Sequence, residues 1–259
     1  MKQYIVDAFT DKLFSGNQAA VCVLEKWIED ELMQNIATEN NFSETAFAVA
    51  ENDGYYLRWF TPVGEIDFCG HATLGTAFVI FNYYEKNETS IKFFTQIGEI
   101  TVNRKDDIYE MDFPAYKLSK ISVTDEMAQA IGVKPVEAYL DRDLLLVLDS
   151  EETVMNLKPS REKMKKLEGL CIAVTAEGKC FDCVSRVFAP ELDVVEDSVT
   201  GSTHCMIAPY WADRLGKTDI VAFQASKRTG VLYCKVMDES VIISGKAVLY
   251  SVADILSQI

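Results

Sequence analysis

The chain has 259 residues, 25 Lys+Arg against 40 Asp+Glu, a formal net charge of −15 and 49% hydrophobic residues. That length suits one large globular domain or two of ordinary size, each able to bury a core. The acid excess excludes nucleic acid and anionic membrane surfaces as main partners, because phosphate binding needs a basic face; a local site for a small anion stays open.

In chain order, residues 4–9 read as a strand, Ser15-Gly16-Asn17 as a turn and residues 19–24 as a second strand. A helix is expected over about residues 28–39, where Ile28, Leu32 and Ile36 fall at helical spacing. Residues 43–50 alternate as a strand, Asn52-Asp53-Gly54 is a hairpin signal, and residues 55–60 form the return strand. Residues 68–84 read as a buried helix with small residues at its front, and several short strands follow over 91–113. No apolar run reaches the roughly 18 residues a membrane span needs, and no leader with a cleavage site is expected. Seven scattered cysteines, an odd number, predict reduced thiols in a cytoplasm.

The sequence repeats itself. Arg58-Trp59-Phe60-Thr61-Pro62 returns 128 positions later as Arg186-Val187-Phe188-Ala189-Pro190. Each copy leads to a turn of small residues, Cys69-Gly70-His71-Ala72-Thr73 and Ser198-Val199-Thr200-Gly201-Ser202, and then to an apolar helix. Downstream, Gly98-Glu99-Ile100 matches Gly230-Val231-Leu232 with an offset of 132. The expectation is an α+β protein of two pseudo-symmetric domains, 1–114 and 115–259, each a curved antiparallel sheet or barrel around a central helix. The C-terminal end is a candidate to return to the first domain. A cleft between such domains is where a small-molecule site is expected.

Small residues at a helix start leave backbone N–H groups open to an anion, although tight helix packing asks for the same residues. Asp197, just before the second turn, is either a site carboxylate or a helix cap. His71 lies inside the first turn, as a site residue or a structural one. Glu44 shares a strand face with Ala46 and Ala48, and a carboxyl there must be partnered or neutral unless the strand is an exposed edge. Its counterpart in the second half is Leu170 or Cys171, so the repeat presents one carboxylate base. Cys180-Phe181-Asp182-Cys183 lies in an expected strand over 181–188, with its thiols on opposite faces and no further ligands by spacing; neither a metal nor a nucleotide motif is read.

Four motifs in order, Gly16-Asn17-Gln18-Ala19-Ala20-Val21, Ser43-Glu44-Thr45-Ala46-Phe47, Phe68-Cys69-Gly70-His71-Ala72-Thr73 and Glu196-Asp197-Ser198-Val199-Thr200-Gly201-Ser202, resemble the signatures of the phenazine-biosynthesis PhzF-like family. The resemblance spans essentially the whole chain. It implies the diaminopimelate-epimerase-like fold and a cofactor-independent isomerase acting on a small carboxylate substrate, commonly as a homodimer. It implies Glu44 as proton-shuttling acid/base, His71 and Asp197 as groups that hold and polarise the substrate, and Gly70, Ala72, Gly201 and Ser202 as substrate-binding turn residues. Epimerases of this fold resemble Cys-Gly-Asn-Gly and Cys-Gly-Thr-Gly at the two turns; here Cys69 remains, but Ser198 stands where the second thiol falls. The competing readings are a racemase or epimerase, and a non-catalytic binder of a carboxylate metabolite.

Overall fold

The computed structural model describes residues 1–190 and 194–256. The chain forms two compact units, Met1–Asp112 joined by the segment from Ser244 onward, and Phe113–Ile243. Among the described residues no helix is long and apolar enough to cross a membrane.

The first unit runs β1 (Lys2–Ala8), β2 (Asn17–Leu24), α1 (Asp30–Asn40), β3 (Glu44–Glu51), β4 (Gly54–Thr61), β5 (Gly64–Ile66), α2 (Gly70–Val79), β6 (Ser90–Thr95) and β7 (Gly98–Lys105), and β8 (Ile108–Pro114) carries the chain out of it. The turn between β1 and β2 depends on Gly16, whose φ of +68° and whose closeness to the Ala8 carbonyl (2.2 Å from where a Cβ would stand) admit no side chain. Asn52 (φ 52°) closes the β3–β4 hairpin, where Glu51 pairs with Gly54.

Strand β3 is apolar on both faces, so both need cover. Phe47 packs with Cys22, Phe60 and the Met33, Ile36 and Ala37 side of α1. The opposite face, bearing Ala46 and Ala48, is left for α2, which packs on β1, β2 and β3. All of α2 except Phe78 is buried, as a helix wrapped by a sheet must be, and Gly75 brings it close to Val6 and Ala19. The expected helix over 68–84 therefore starts at Gly70 and ends in a π-helical turn, Ile80–Tyr84.

The second unit runs β9 (Ser119–Ile121), α3 (Asp125–Ile131), β10 (Glu137–Leu140), β11 (Leu144–Val147), α4 (Glu151–Asn156), α5 (Arg161–Met164), β12 (Ile172–Glu177), β13 (Cys183–Ala189), β14 (Val194–Asp197), α6 (His204–Leu215), β15 (Asp219–Gln224), β16 (Gly230–Val236) and β17 (Ser240–Gly245). Its pairings copy those of the first. β1–β2 and β10–β11 are antiparallel, β2–β3 and β11–β12 parallel, β3–β4 and β12–β13 antiparallel. β4–β5 and β13–β14 are antiparallel, β4–β6 and β13–β15 parallel, β6–β7 and β15–β16 antiparallel. The architecture is thus α+β as expected, but the sheets are mixed, with parallel pairings in both units.

The repeat reaches side chains. Arg58 grips Glu65 through two bonds of 2.7 Å and lies 5.1 Å from the Phe60 ring centre. Arg186 grips Glu196 at 2.7 and 3.0 Å and lies 5.3 Å from Phe188. The strand that follows each repeat joins the other unit: β9 pairs with β10, and β18 (Ala247–Asp254) pairs with β1. One local expectation fails. The strand expected over 181–188 begins only at Cys183, because Asp182 is held in a loop by the amide of Val221 (2.7 Å); Cys180 is exposed and Cys183 buried.

Candidate active site

The first small-residue turn gathers three elements. Glu44 opens β3 in register with Ala19 of the parallel strand β2. It lies on the same face as Ala46, the face covered by α2. Cys69 is the N-cap of α2 in extended backbone (φ −150°, ψ 110°), and no side chain caps the helix. His71 follows in the first turn and is brought onto Glu44: Nε2 lies 2.9 Å from Oε2, with the side chains 8% and 15% exposed. On its other side, Nδ1 lies 3.2 Å from Asn17 Nδ2 and 3.4 Å from Cys69 Sγ. The hydroxyl of Thr73 donates to the Cys69 carbonyl (2.6 Å), and the Ala72 amide reaches the Cys69 sulfur. The donor atoms of Glu44, Cys69 and His71 all lie within 4.8 Å of one another.

Burial and mutual charge act on Cys69 and His71 together. Burial pushes the Cys69 thiol up to about 11, and the Glu44 charge adds to the effect. Cys69 is therefore protonated at neutral pH and is a poor base there. Burial also works against a charged His71, yet negative charge at Cys69 and Glu44 raises it well above the ordinary histidine range. Glu44 and His71 thus face each other, nearly buried, at the start of a helix.

The second turn is organised differently. Asp197 ends β14 and accepts a bond of 2.5 Å from the Thr200 hydroxyl. Gln224, fully buried at the end of β15, accepts from the Thr200 amide (2.8 Å) and donates to the Asp197 carbonyl (2.9 Å). Thr203, the N-cap of α6, donates to buried Asp143 (3.0 Å), which also accepts from the Cys171 amide (3.2 Å). Gly201 and Ser202 form the turn itself, their carbonyls accepting from the amides of His204 and Cys205. Burial raises the Asp143 carboxyl and lowers His204 to about 4.

Of the residues singled out by sequence, Glu44, Gly70, His71 and Ala72 meet in the first turn, and Asp197, Gly201 and Ser202 share the second. The sequence reading gave no role to Asn17, Asp143 or Gln224. Asn17 lies inside one of the motifs; Asp143 ends a charged bend before β11 and Gln224 is a single polar residue closing an apolar strand, and neither carries a local pattern.

Two repeated units, each a mixed sheet around one central helix, place the chain in the epimerase-like fold class, and its named relatives are isomerases. The chain belongs to the phenazine biosynthesis-like protein family, whose model matches residues 6–253. A protein of Pseudomonas aeruginosa named as an uncharacterized isomerase is 48% identical over 245 residues, covering 95% of both chains. The crystal structure of a PhzF family phenazine biosynthesis protein from Enterococcus faecalis is 50% identical, superposes with a TM-score of 0.95 and covers 97% of each chain. A probable proline racemase from Agrobacterium radiobacter shares the fold alone, with a TM-score of 0.64 at 8% identity over 98% of this chain and 92% of that one.

Proposed function

We propose that this protein is a cofactor-independent isomerase that moves a proton between carbons of a small carboxylate-bearing substrate, with Glu44 as the acid/base. The observation that carries the reading is the 2.9 Å contact between Glu44 and His71 at the uncapped start of α2. Glu44 takes a proton from a carbon whose electron pair can spread into a neighbouring unsaturated or carboxyl group, and returns it to another carbon on the same face. His71 steadies the carboxylate and the displaced charge. Asp197, fixed by Thr200, binds and polarises the substrate, and the turn residues Gly70, Ala72, Gly201 and Ser202 hold its carboxylate. A one-base mechanism agrees with two further facts: Cys69 is protonated at neutral pH, and Ser198 occupies the position of a second thiol.

The test is carbon-bound hydrogen exchange. Candidate carboxylates are incubated with the protein in D₂O and followed by NMR. Exchange that disappears in Glu44→Gln supports the isomerase, whereas tight binding without exchange in the wild type would show a binder. We also assign the protein to the cytoplasm as a homodimer. Phe14 (69% exposed) stacks edge-on against Tyr250 (50% exposed) beside Val252, an apolar patch on the first unit suited to a second copy. Light scattering on a sizing column gives the oligomeric state directly.

A further inference from the structure

A carboxylate, a thiol and an imidazole held together are also a metal-ligand set, and sequence spacing alone does not show it because Glu44 comes from a different element than Cys69 and His71. We propose that Glu44, Cys69 and His71 form a binding site for a zinc ion, and that zinc bound there shuts the site. Zinc takes thiolate at about 2.3 Å, imidazole at about 2.0–2.1 Å and carboxylate at about 2.0–2.2 Å, so ligand atoms around one tetrahedral ion sit roughly 3–4 Å apart. Here His71 Nε2 lies 2.9 Å from Glu44 Oε2, and Cys69 Sγ lies 3.4 Å from Nδ1 and 4.0 Å from Nε2, so a swing of the Cys69 side chain from Nδ1 toward Nε2 brings all three to one ion.

The surroundings suit the same ion. Metal-bound histidines fix their second ring nitrogen with an acceptor. Asn17, 1% exposed, sits 3.2 Å from Nδ1, and with its amide turned over its oxygen accepts the Nδ1 proton, leaving the Nε2 lone pair for the metal. Mixed sulfur, nitrogen and oxygen donors select zinc over magnesium or calcium, which ask for oxygen alone. Three protein ligands leave a fourth position for water. Coordination is to the thiolate and to neutral imidazole, so the protons of Cys69 Sγ and His71 Nε2 pass to solvent. The ion then occupies the Glu44 lone pair and takes His71 Nε2 away from that carboxylate. That last step rests on the proton-transfer reading above; the binding itself does not.

Cobalt(II) is the spectroscopic probe. One equivalent added to the full-length protein without substrate should produce a thiolate-to-cobalt charge-transfer band in the near ultraviolet, bleached by one equivalent of zinc. Cys180→Ser, which removes the one cysteine classed as exposed among the described residues, should keep the band; Cys69→Ser should lose it, and Glu44→Gln should weaken zinc binding by roughly tenfold or more. The wild type gives an answer even if Cys69→Ser does not fold, because zinc should shift the imidazole NMR signals of His71 and leave those of His204 in place. No cobalt band, a band that survives Cys69→Ser or vanishes in Cys180→Ser, or a zinc shift at His204 instead of His71 would overturn the proposal. Failure here with exchange intact in D₂O leaves the isomerase reading standing, and zinc binding without exchange does the reverse.

Discussion

The two units share their strand pairings and their arginine–glutamate grips, yet differ at the foot of the central helix. Phe47 faces Arg58 across β3–β4, and Val174 faces Arg186 across β12–β13. Three residues before each stand Glu44, the first residue of β3, and Cys171, just ahead of β12, so the counterpart of Glu44 is a buried cysteine, its thiol pushed up to about 12 by burial. The histidines diverge in the same way. His71 meets Glu44 and is raised above the ordinary histidine range, whereas burial lowers His204 to about 4 despite its bond to the Thr200 carbonyl (2.8 Å). A duplicated scaffold keeps the interactions that shape it, while single positions differ between the copies at the start of the central helix.

The sharpest way to break this contrast is to mutate matched positions. Glu44→Gln should lower the exchange rate by about 10²–10⁴-fold, or about 3–5 kcal/mol of barrier, while Cys171→Ser stays within about twofold of wild type. An equal loss in both variants would mean that the two strands are functionally alike.

Next in size is the titration of the two histidines. His204 is lowered from 6.5 to about 4, so on acidification the unfolded chain takes up this proton first. Its contribution to stability is complete above about pH 6.5 and is lost as pH falls toward 4, on the order of 3 kcal/mol in all. His71 runs oppositely: its contribution is complete below the ordinary histidine range and fades as pH rises through its elevated value. The chain has only these two histidines, so imidazole NMR resolves both curves. Denaturant midpoints of His204→Asn against pH should lose the acid slope.

Smaller effects come from the arginine grips. Arg58→Ala and Arg186→Ala should each cost about 1–3 kcal/mol in urea unfolding, because each leaves a half-buried carboxylate without its partner. Arg186→Ala should be the larger, since Arg186 also donates to the carbonyls of Val154 (3.3 Å) and Leu157 (3.0 Å) beside α4. Asp30→Ala, removing the 74% exposed second carboxylate on Arg58, should leave the urea midpoint essentially unchanged.

The repeat and the family were legible because strand, turn and helix each write local patterns: alternation at Glu44, Ala46 and Ala48, small residues at Cys69 to Thr73, and the returning Arg58 and Arg186 segments. The Glu44–His71 contact spans 27 positions and depends on β3 pairing parallel to β2 after an intervening helix, which no local pattern announces. Asn17, Asp143 and Gln224 were illegible for a related reason. A buried polar residue is recognised by its partner, and Gln224 finds Thr200 only once β15 has paired with β13.

The exchange of β9 and β18 sets an order of assembly during synthesis. The second unit has all its strands once residue 243 has left the ribosome. The first, though made earlier, holds β1 with one edge uncovered until β18 arrives and Ile255 bonds back to Met1 at 2.8 and 3.1 Å. A truncation before Ala247 therefore injures the half of the protein translated first, and Glu44 with it, while sparing the strands of the half to which the cut lies adjacent.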